Sequence, residues 1–219
     1  MRRIDVFAPA KVNLALHVTG QRADGYHLLD SLVAFSPVGD GLTLSPAAAL
    51  GLKVGGPEGA AVPEGPENLV LKAAALFGVG AAVVLEKCLP AVLVNPRVEV
   101  PTPSVFKALR CKDNPPLPEI PAFGDAGACI AWLARQRNDL QAPAVAQAPV
   151  IAEVLAVLAA LPGCQLARMS GSGATCFGLF GSDAEAAAAQ AALATSHPGW
   201  WSAHGALGDQ AQKAAPQLR

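Results

Sequence analysis

The chain is poor in aromatic residues and in charge, and neither sign of charge dominates. Of its 219 residues, 5% are Phe, Trp or Tyr, 15% are Asp, Glu, Lys or Arg, and the formal net charge is −1. A charge so close to zero creates no overall field that favours nucleic acid or an anionic membrane. We therefore predict neither nucleic acid nor a membrane as a partner.

The cysteines lack the spacing of a metal site or a disulfide framework. They are odd in number and scattered, with no CxxC pair and no neighbouring histidine motif; they are Cys88, Cys111, Cys129, Cys164 and Cys176. This pattern favours reduced thiols in a cytoplasm over a zinc site or a disulfide scaffold. We predict no metal bound by the chain itself.

Long apolar runs are also missing. No stretch of about 18 uncharged apolar residues occurs, so no membrane-spanning helix is predicted. Arg2 and Arg3 resemble the start of a signal peptide, but Asp5, Lys11 and Asn13 interrupt the apolar region that such a peptide needs. The sequence predicts a soluble cytoplasmic protein.

The stretch from Ala8 to Ser31, APAKVNLALHVTGQRADGYHLLDS, has the most informative pattern in the chain. Its alternation puts the apolar residues from Val12 to Val18 on one strand face, and Lys11 and Asn13 about 7 Å apart on the other. A Gly-rich turn and the pair Tyr26-His27 follow. A cation, an amide, an aromatic ring and an imidazole suit an anionic small molecule that carries a base. Lys11 beside Asn13 can also be an ordinary solvated strand face.

A second motif, MSGSGAT, spans residues 169–175 between two predicted strands. Its glycines let the backbone approach a ligand closely and turn its N–H groups toward an anion. Taken alone, a Gly-Ser loop between strands is more often a plain hairpin. A third region, VLVNPRVEVPTPSVFKAL over residues 92–109, contains a predicted helix start at Thr102-Pro103, with Thr102 as the N-cap.

The remaining pattern mixes strands and helices without regular alternation, which predicts an α+β fold. A turn is predicted at residues 37–41, a loop at 110–121, and a frayed tail over the last dozen residues; Ser182 and Glu185 form a predicted capping box. The predicted strands are 4–7, 11–18, 28–35, 42–44, 52–54, 82–86, 92–94, 165–169, 175–180 and 200–203, and the predicted helices are 67–77, 102–109, 125–135, 145–161 and 183–195.

The three segments quoted above resemble the motifs of the 4-diphosphocytidyl-2-C-methyl-D-erythritol kinases, a family of the GHMP kinase superfamily. The resemblance implies a ribosomal-protein-S5-domain-2-like N-terminal domain, truncated here to residues 1–90, and a ferredoxin-like C-terminal domain over residues 91–219. It implies that ATP, with Mg²⁺, phosphorylates the 2-hydroxyl of 4-diphosphocytidyl-2-C-methyl-D-erythritol in non-mevalonate isoprenoid biosynthesis.

The resemblance also implies roles for individual residues. Lys11 would act in catalysis, and Asn13 and Thr102 would hold the substrate. Tyr26 and Phe106 would stack on the cytosine while His27 reads the base edge; Phe106 is nearly as well explained as helix core. The remaining implied residues contact ATP: Asn68 near the adenine, with a helix N-cap as its alternative, and Ser170, Gly171, Ser172, Gly173 and Ala174 near the phosphates.

One internal block of the family pattern is missing. In the family, a strand like AAVVLEKCLP leads into a Gly-rich loop of the form AGLGGGSSDAA, and an Ala-Asp-Val-Pro segment with the catalytic aspartate follows later. Here Leu89-Pro90 runs directly into Ala91, and Gly-Gly-Gly-Ser occurs nowhere in the chain. Polyphosphate normally needs that loop, and the acceptor hydroxyl needs an acidic partner. We therefore expect phosphoryl transfer to be lost or severely weakened, with cytidine binding retained.

Two alternatives to a kinase remain open at this point. One is a shortened, inactive relative that binds a cytidine nucleotide or a protein partner. The other is that an internal block has been left out of the sequence. Ordinary peptide geometry between Pro90 and Ala91, with about 3.8 Å between their Cα atoms, would argue against such an omission. A short chain should also expose an apolar sheet face formed by Val12, Leu14 and Leu16, and this predicts aggregation or a homodimer.

Overall fold

A computed structural model of the chain describes residues 3–45, 52–56, 62–65 and 88–218. The predicted helix over 67–77, the strand over 82–86 and Asn68 lie outside these residues. The strands are β1 Ile4–Gln21, β2 His27–Leu44, β3 Leu89–Asn95, β4 Cys164–Met169, β5 Cys176–Phe180, β6 Trp201–Leu207 and β7 Gln217–Leu218. The helices are α1 Thr102–Lys107, α2 Ala126–Ala134, α3 Gln141–Gln147, α4 Val150–Ala160, α5 Asp183–Ser196 and α6 Ala211–Ala214.

The chain divides into two compact units. One contains residues 1–6, 41–83 and 216–219, and the other contains residues 7–40 and 84–215. The predicted division into residues 1–90 and 91–219 stays a prediction; Pro90 lies inside β3. That strand runs through Pro90 and Ala91 without a break, and both residues pair with β6, opposite Ala206 and Gly205.

The larger unit contains a four-stranded antiparallel sheet with the strand order β4-β5-β3-β6. Along the chain, β3 is followed by helices, then by β4 and β5, then by α5 and β6. A βαββαβ sequence with this strand order is the ferredoxin-like arrangement. The predictions of an α+β fold and of a ferredoxin-like C-terminal part are confirmed.

β1 and β2 are longer than predicted, because each joins two predicted strands into one. The predicted turn at residues 37–41 is wrong, since β2 continues through it. Gly39 is needed there for another reason: a Cβ atom on it would lie 2.1 Å from the carbonyl oxygen of Ala8 on β1. Close approach of two backbones selects glycine as strongly as a turn does. The predicted strand over 52–54 is also wrong, because residues 52–55 have no regular structure.

Both faces of the middle of β1 are buried, so the predicted uncovered apolar face is wrong. Val12 and Leu14 pack in a core with Ile130 and Leu133 of α2. Leu16 and Val18, further along β1, belong to a second core that includes α3, α4 and α5. Burying a Val or Leu side chain fully contributes about 1.5–3 kcal/mol. The cover over β1 removes the physical reason for the predicted aggregation.

The helix predictions need two corrections. The predicted helix over 145–161 is two helices, because Pro149 lacks an N–H group and disfavours helical geometry at Ala148, which lies at φ −134° and ψ 85°. The N-cap of α1 is Pro101, so Thr102 is the first helical residue and does not cap the helix. The predicted cap of α5 is confirmed, since Ser182 accepts a hydrogen bond from the Glu185 N–H group.

The C-terminal residues are more ordered than the frayed tail we predict from sequence. They form α6 and the short strand β7, which pairs antiparallel with the start of β1, opposite Ile4 and Asp5. Across the described ranges, no helix has both the length and the apolar character needed to cross a bilayer.

Candidate active site

A cavity of about 350 Å³ lies in the larger unit, beside β1 and the Gly-Ser loop, the name used here for residues 170–175. It brings together residues that the sequence places far apart. The lining residues are Ala10, Lys11, Val12, Asn13, Leu93, Ser170, Gly171, Ser172, Gly173, Thr175 and Trp201. Lys11 and Asn13, predicted to serve the acceptor, therefore share one cavity with four of the five predicted phosphate-binding residues.

Lys11 and Asn13 form a fixed pair at this cavity. The Lys11 ammonium donates to Asn13 Oδ1 at 2.5 Å. The Asn13 amide nitrogen donates in turn to Ser31 Oγ at 2.7 Å, and Ser31 donates to the Ala15 carbonyl. Asn13 is 6% exposed, and partial burial lowers the pKa of Lys11. Asn13 is therefore not part of a solvated strand face, whereas Lys11 is exposed and still fits that alternative.

The Gly-Ser loop is a tight turn that is tied to β1. Ser170 N–H donates to the Thr175 carbonyl and Gly173 N–H donates to the Ser170 carbonyl. Gly171 and Gly173 have φ values of 59° and 91°, in the left-handed region where glycine is favoured. Ser170 Oγ accepts the backbone N–H of Asn13 at 2.9 Å. A single hydroxyl thus connects the loop with the strand that carries Lys11.

Asn138 is a residue of this region that the sequence reasoning missed. Its amide nitrogen donates to the carbonyls of Met169 and Gly171 at 2.7 and 2.8 Å, and its Oδ1 accepts the Leu140 N–H at 3.0 Å. The side chain is buried, with 8% of the residue exposed. In sequence, an Asn-Asp pair between two predicted helices indicates only a turn, so the local pattern contains no sign of this contact.

Arg168 is a second missed residue, immediately before the loop. Its guanidinium donates to the carbonyls of Leu14, Leu133 and Gln136 at 2.8–2.9 Å. The residue is 6% exposed, and burial lowers its pKa to about 10. It connects β1 with the end of α2. An arginine in a predicted strand is usually exposed, which is why sequence alone did not indicate it.

Thr102 lies next to the Gly-Ser loop, since its hydroxyl and that of Ser172 are 2.7 Å apart. Asn95 at the end of β3 donates to Thr175 Oγ1 at 2.9 Å. The first turn of α1 and the end of β3 therefore both contact the loop. Thr102 was predicted to hold the acceptor and Ser172 the phosphates, and the structure brings the two side chains into direct contact.

His27 and Phe106, called the aromatic pair here, are in direct contact; their predicted roles toward the cytosine stay predictions. The two rings stack directly, with centroids 4.6 Å apart and an interplanar angle of 23°. His27 thus covers a face of Phe106, and its Nε2 is buried without a hydrogen-bond partner. Burial, with a smaller effect from Lys112, lowers the pKa of His27. Tyr26 is 73% exposed.

The sequence profile described as GHMP kinases C terminal matches residues 117–198. Two curated relatives are named 4-diphosphocytidyl-2-C-methyl-D-erythritol kinase. The one from Dinoroseobacter shibae is 49% identical over 268 residues, covering 91% of this chain and 93% of the relative. The one from Roseobacter denitrificans is 42% identical over 290 residues, covering 98% and 97%. Both alignments are longer than the 219-residue chain, so the relatives have residues at dozens of positions where this chain has none.

Solved structures agree with the sequence comparison. A crystal structure of 4-(cytidine 5'-diphospho)-2C-methyl-D-erythritol kinase superposes with a TM-score of 0.71 at 27% identity, covering 94% of this chain and 99% of the other. A homoserine kinase from Cytophaga hutchinsonii superposes with a TM-score of 0.56 at 13% identity, covering 99% and 97%, which indicates the shared fold alone. The chain belongs to the 4-diphosphocytidyl-2-C-methyl-D-erythritol kinase family of the GHMP kinase superfamily.

Proposed function

We propose that this chain binds 4-diphosphocytidyl-2-C-methyl-D-erythritol beside β1 and phosphorylates its 2-hydroxyl with ATP, a step of non-mevalonate isoprenoid biosynthesis. The observation that carries the proposal is the shared cavity of Lys11, Asn13 and the Gly-Ser loop. The names of the curated relatives support the choice of substrate and reaction. The five cysteines are free thiols, which supports a cytoplasmic location.

In this proposal, Lys11 and the Gly-Ser loop stabilise the negative charge of the phosphate groups. A fixed ammonium group stabilises charge that develops on the transferring phosphoryl group, and it needs no reorganisation at the moment of transfer. Asn13 Oδ1 holds Lys11 Nζ in place. The positive-φ glycines of the loop let backbone N–H groups approach phosphate oxygens closely.

His27, Phe106 and Tyr26 are proposed to recognise the cytosine. The imidazole must turn away from Phe106 before a base can stack on the ring face that it covers. Pairing with the base edge would then give the buried His27 Nε2 the partner it lacks. Tyr26 is exposed enough to close over the other face of the base. Thr102 would contact the acceptor near Ser172.

Mg²⁺ is proposed to arrive with the ATP phosphates. Among the residues that the structure describes, no group of three or more His, Cys, Asp and Glu side chains could hold a metal ion. Mg²⁺ in kinases is commonly bound through substrate phosphates with few protein ligands. When bound, it would neutralise phosphate charge; the described residues near the cavity offer it only hydroxyl and carbonyl oxygens.

Transfer is expected to be slow in this chain. The described residues that line the cavity include no Asp or Glu to accept the proton of the acceptor hydroxyl, and the Gly-rich loop of the family is absent from the sequence. Losing one transition-state donor alone can cost 10²–10³ in rate. The proposed reaction therefore continues at a rate far below the order of 1 per second that is ordinary for kinases.

The test is a coupled ADP-release assay with the purified chain, ATP, Mg²⁺ and the diphosphocytidyl substrate. We expect slow, substrate-dependent ADP release that Lys11→Ala abolishes and the exposed control Lys53→Ala leaves unchanged. If Lys11→Ala has no effect on the release, the proposed role of the cavity is wrong. A rate on the order of 1 per second would instead show that the chain supplies a proton acceptor and a phosphate site that we have not identified.

A further inference from the structure

Asn138 connects the Gly-Ser loop to β1, although it does not line the cavity. We propose that Asn138 is the positioning residue of the loop: its side-chain amide orients the Gly171–Ser172 peptide so that the loop can bind an anionic phosphate group. This inference rests on the proposed function of the loop as the phosphate site. It adds a residue whose role is to set the loop's geometry, not to touch the substrate.

Two backbone carbonyls fix the orientation of the loop. The Asn138 amide donates to the carbonyls of Met169 and Gly171, on either side of Ser170. In a trans peptide the C=O and the following N–H point in opposite directions. The Gly171 carbonyl turns toward the buried Asn138, so the Ser172 N–H turns away from it. Gly171 and Ser172 both line the cavity, which makes this N–H available to an anion there.

The segment that carries Asn138 is hydrogen-bonded to β1. Residues on both sides of Asn138 bond to Leu16, because Leu16 N–H donates to the Arg137 carbonyl and Asp139 N–H donates to the Leu16 carbonyl. The Asp139 carboxylate also accepts the Val18 N–H at 2.7 Å. The segment that carries Asn138 is thus fixed along β1, the strand of Lys11. The Asn138 side chain therefore helps to set the position of the loop relative to that lysine, together with the Ser170 hydroxyl that accepts the Asn13 N–H.

The Asn138 amide has a hydrogen-bond partner for both of its N–H groups and for its Oδ1. Both N–H groups donate to loop carbonyls, and Oδ1 accepts the Leu140 N–H. Asn138→Asp keeps the shape and the Oδ1 acceptor but presents an oxygen to two carbonyl oxygens. That change repels the loop from its observed position without opening a cavity.

Asn114 provides a matched control for a merely structural effect. Its amide also donates to two backbone carbonyls, those of Val18 and Cys111 at 3.1 and 3.4 Å. Asn114 therefore contacts β1 through the same kind of hydrogen bond, but its partners are Val18 of β1 and the nearby Cys111, and not the Gly-Ser loop. Asn114→Asp should lower the stability of the fold and leave the phosphate site unchanged.

The experiment uses the full chain, amide NMR and calorimetric titration with three probes: ATP, inorganic pyrophosphate and cytidine. We expect Asn138→Asp to weaken ATP and pyrophosphate binding tenfold or more, to leave cytidine binding within twofold, and to shift or broaden the Gly171 and Ser172 amide signals. Asn114→Asp should change none of these. If Asn138→Asp does not fold, Asn138→Ser, which keeps one donor, should weaken ATP and pyrophosphate binding by a smaller factor.

Two results would overturn the inference. One is a folded Asn138 variant that binds ATP and pyrophosphate as tightly as the unmodified chain. The other is an equal loss of affinity for cytidine and for the phosphate probes. If the unmodified chain binds neither ATP nor pyrophosphate, the proposed function of the loop fails, and the amide signals decide the positioning role alone. Unchanged Gly171 and Ser172 signals in the Asn138 variant would then exclude it.

Discussion

The Gly-Ser loop and the aromatic pair are the two regions that we propose to bind the substrates, and different interactions hold them. The loop is fixed by hydrogen bonds from buried groups, among them the side chain of Asn138 and the backbone N–H of Asn13. His27 and Phe106 contact each other through ring stacking, and His27 Nε2 has no hydrogen-bond partner. Tyr26 beside them is largely exposed.

If both regions bind substrate as proposed, this difference predicts two modes of binding. A loop held by buried hydrogen bonds can present fixed dipoles to a phosphate without a reorganisation cost. The His27–Phe106 stack has to separate before a base can stack on Phe106. Because an aromatic stack is worth only about 0.5–1.5 kcal/mol, stacking with a bound base can replace it. We therefore expect the proposed phosphate-binding loop to be preorganised and the proposed base-binding rings to rearrange when the base binds.

Arg168→Met should remove the buried hydrogen bonds that connect the strand before the Gly-Ser loop with β1 and α2. The change leaves the carbonyls of Leu14 and Gln136 without this buried donor, while the Leu133 carbonyl keeps the Gln136 N–H group. Each unsatisfied buried group costs about 1–3 kcal/mol. We expect the free energy of unfolding to fall by about 3 kcal/mol or more in urea titrations. The control Arg135→Met removes an exposed arginine one residue beyond α2 and should change stability little. Similar losses for the two variants would contradict the role given to Arg168.

His17 is a buried residue of β1, and it offers a test with a smaller, pH-dependent effect. It is 1% exposed, and burial together with the nearby Arg137 lowers its pKa. The folded state then binds fewer protons than the unfolded state, so stability falls as the pH drops below about 6.5, the ordinary histidine value. We expect the free energy of unfolding to fall between pH 7.5 and pH 5.5, measured by urea unfolding.

His17→Gln should flatten that pH dependence. A glutamine oxygen can accept the Arg137 N–H that His17 Nε2 accepts, but it does not become charged in acid. The exposed His204 is the matched control, and His204→Gln should leave the slope as it is. A slope that persists in His17→Gln would assign the acid sensitivity to another group.

Phe106→Leu tests the role of the His27–Phe106 stack in base binding. It keeps an apolar side chain in the core but removes the ring that stacks on His27. The His27 pKa should rise toward its ordinary value because the imidazole becomes less buried, and cytidine affinity should fall about fivefold, equivalent to about 1 kcal/mol. NMR titration of the imidazole measures the first effect and calorimetry the second.

Trp200→Leu is the matched control for this change. It removes a ring that stacks on another histidine, His197, at 4.1 Å between centroids. The His27 pKa and the cytidine affinity should both stay unchanged in that variant. If they change as much as in Phe106→Leu, the effect is a general loss of packing and not a property of the site.

Local patterns predicted the parts of this site that depend on local chemistry. Strand alternation placed Lys11 and Asn13 on one face, and glycine spacing indicated the tight loop at residues 170–175. Gly39 shows the limit of such patterns, because its neighbour in space, Ala8, is far away in sequence. Asn138 and Arg168 were missed for the same reason, since their partners are backbone carbonyls from distant segments.

The central claim is that this chain retains a site for a cytidine diphosphate compound. Calorimetric titration of the full chain with cytidine diphosphate and with uridine diphosphate tests it most directly. A site that pairs with an exocyclic amine loses about 1–3 kcal/mol when a carbonyl replaces that amine, so we predict about 5- to 150-fold tighter binding of the cytidine compound. Equal affinity for the two nucleotides, or binding of neither, would contradict the account.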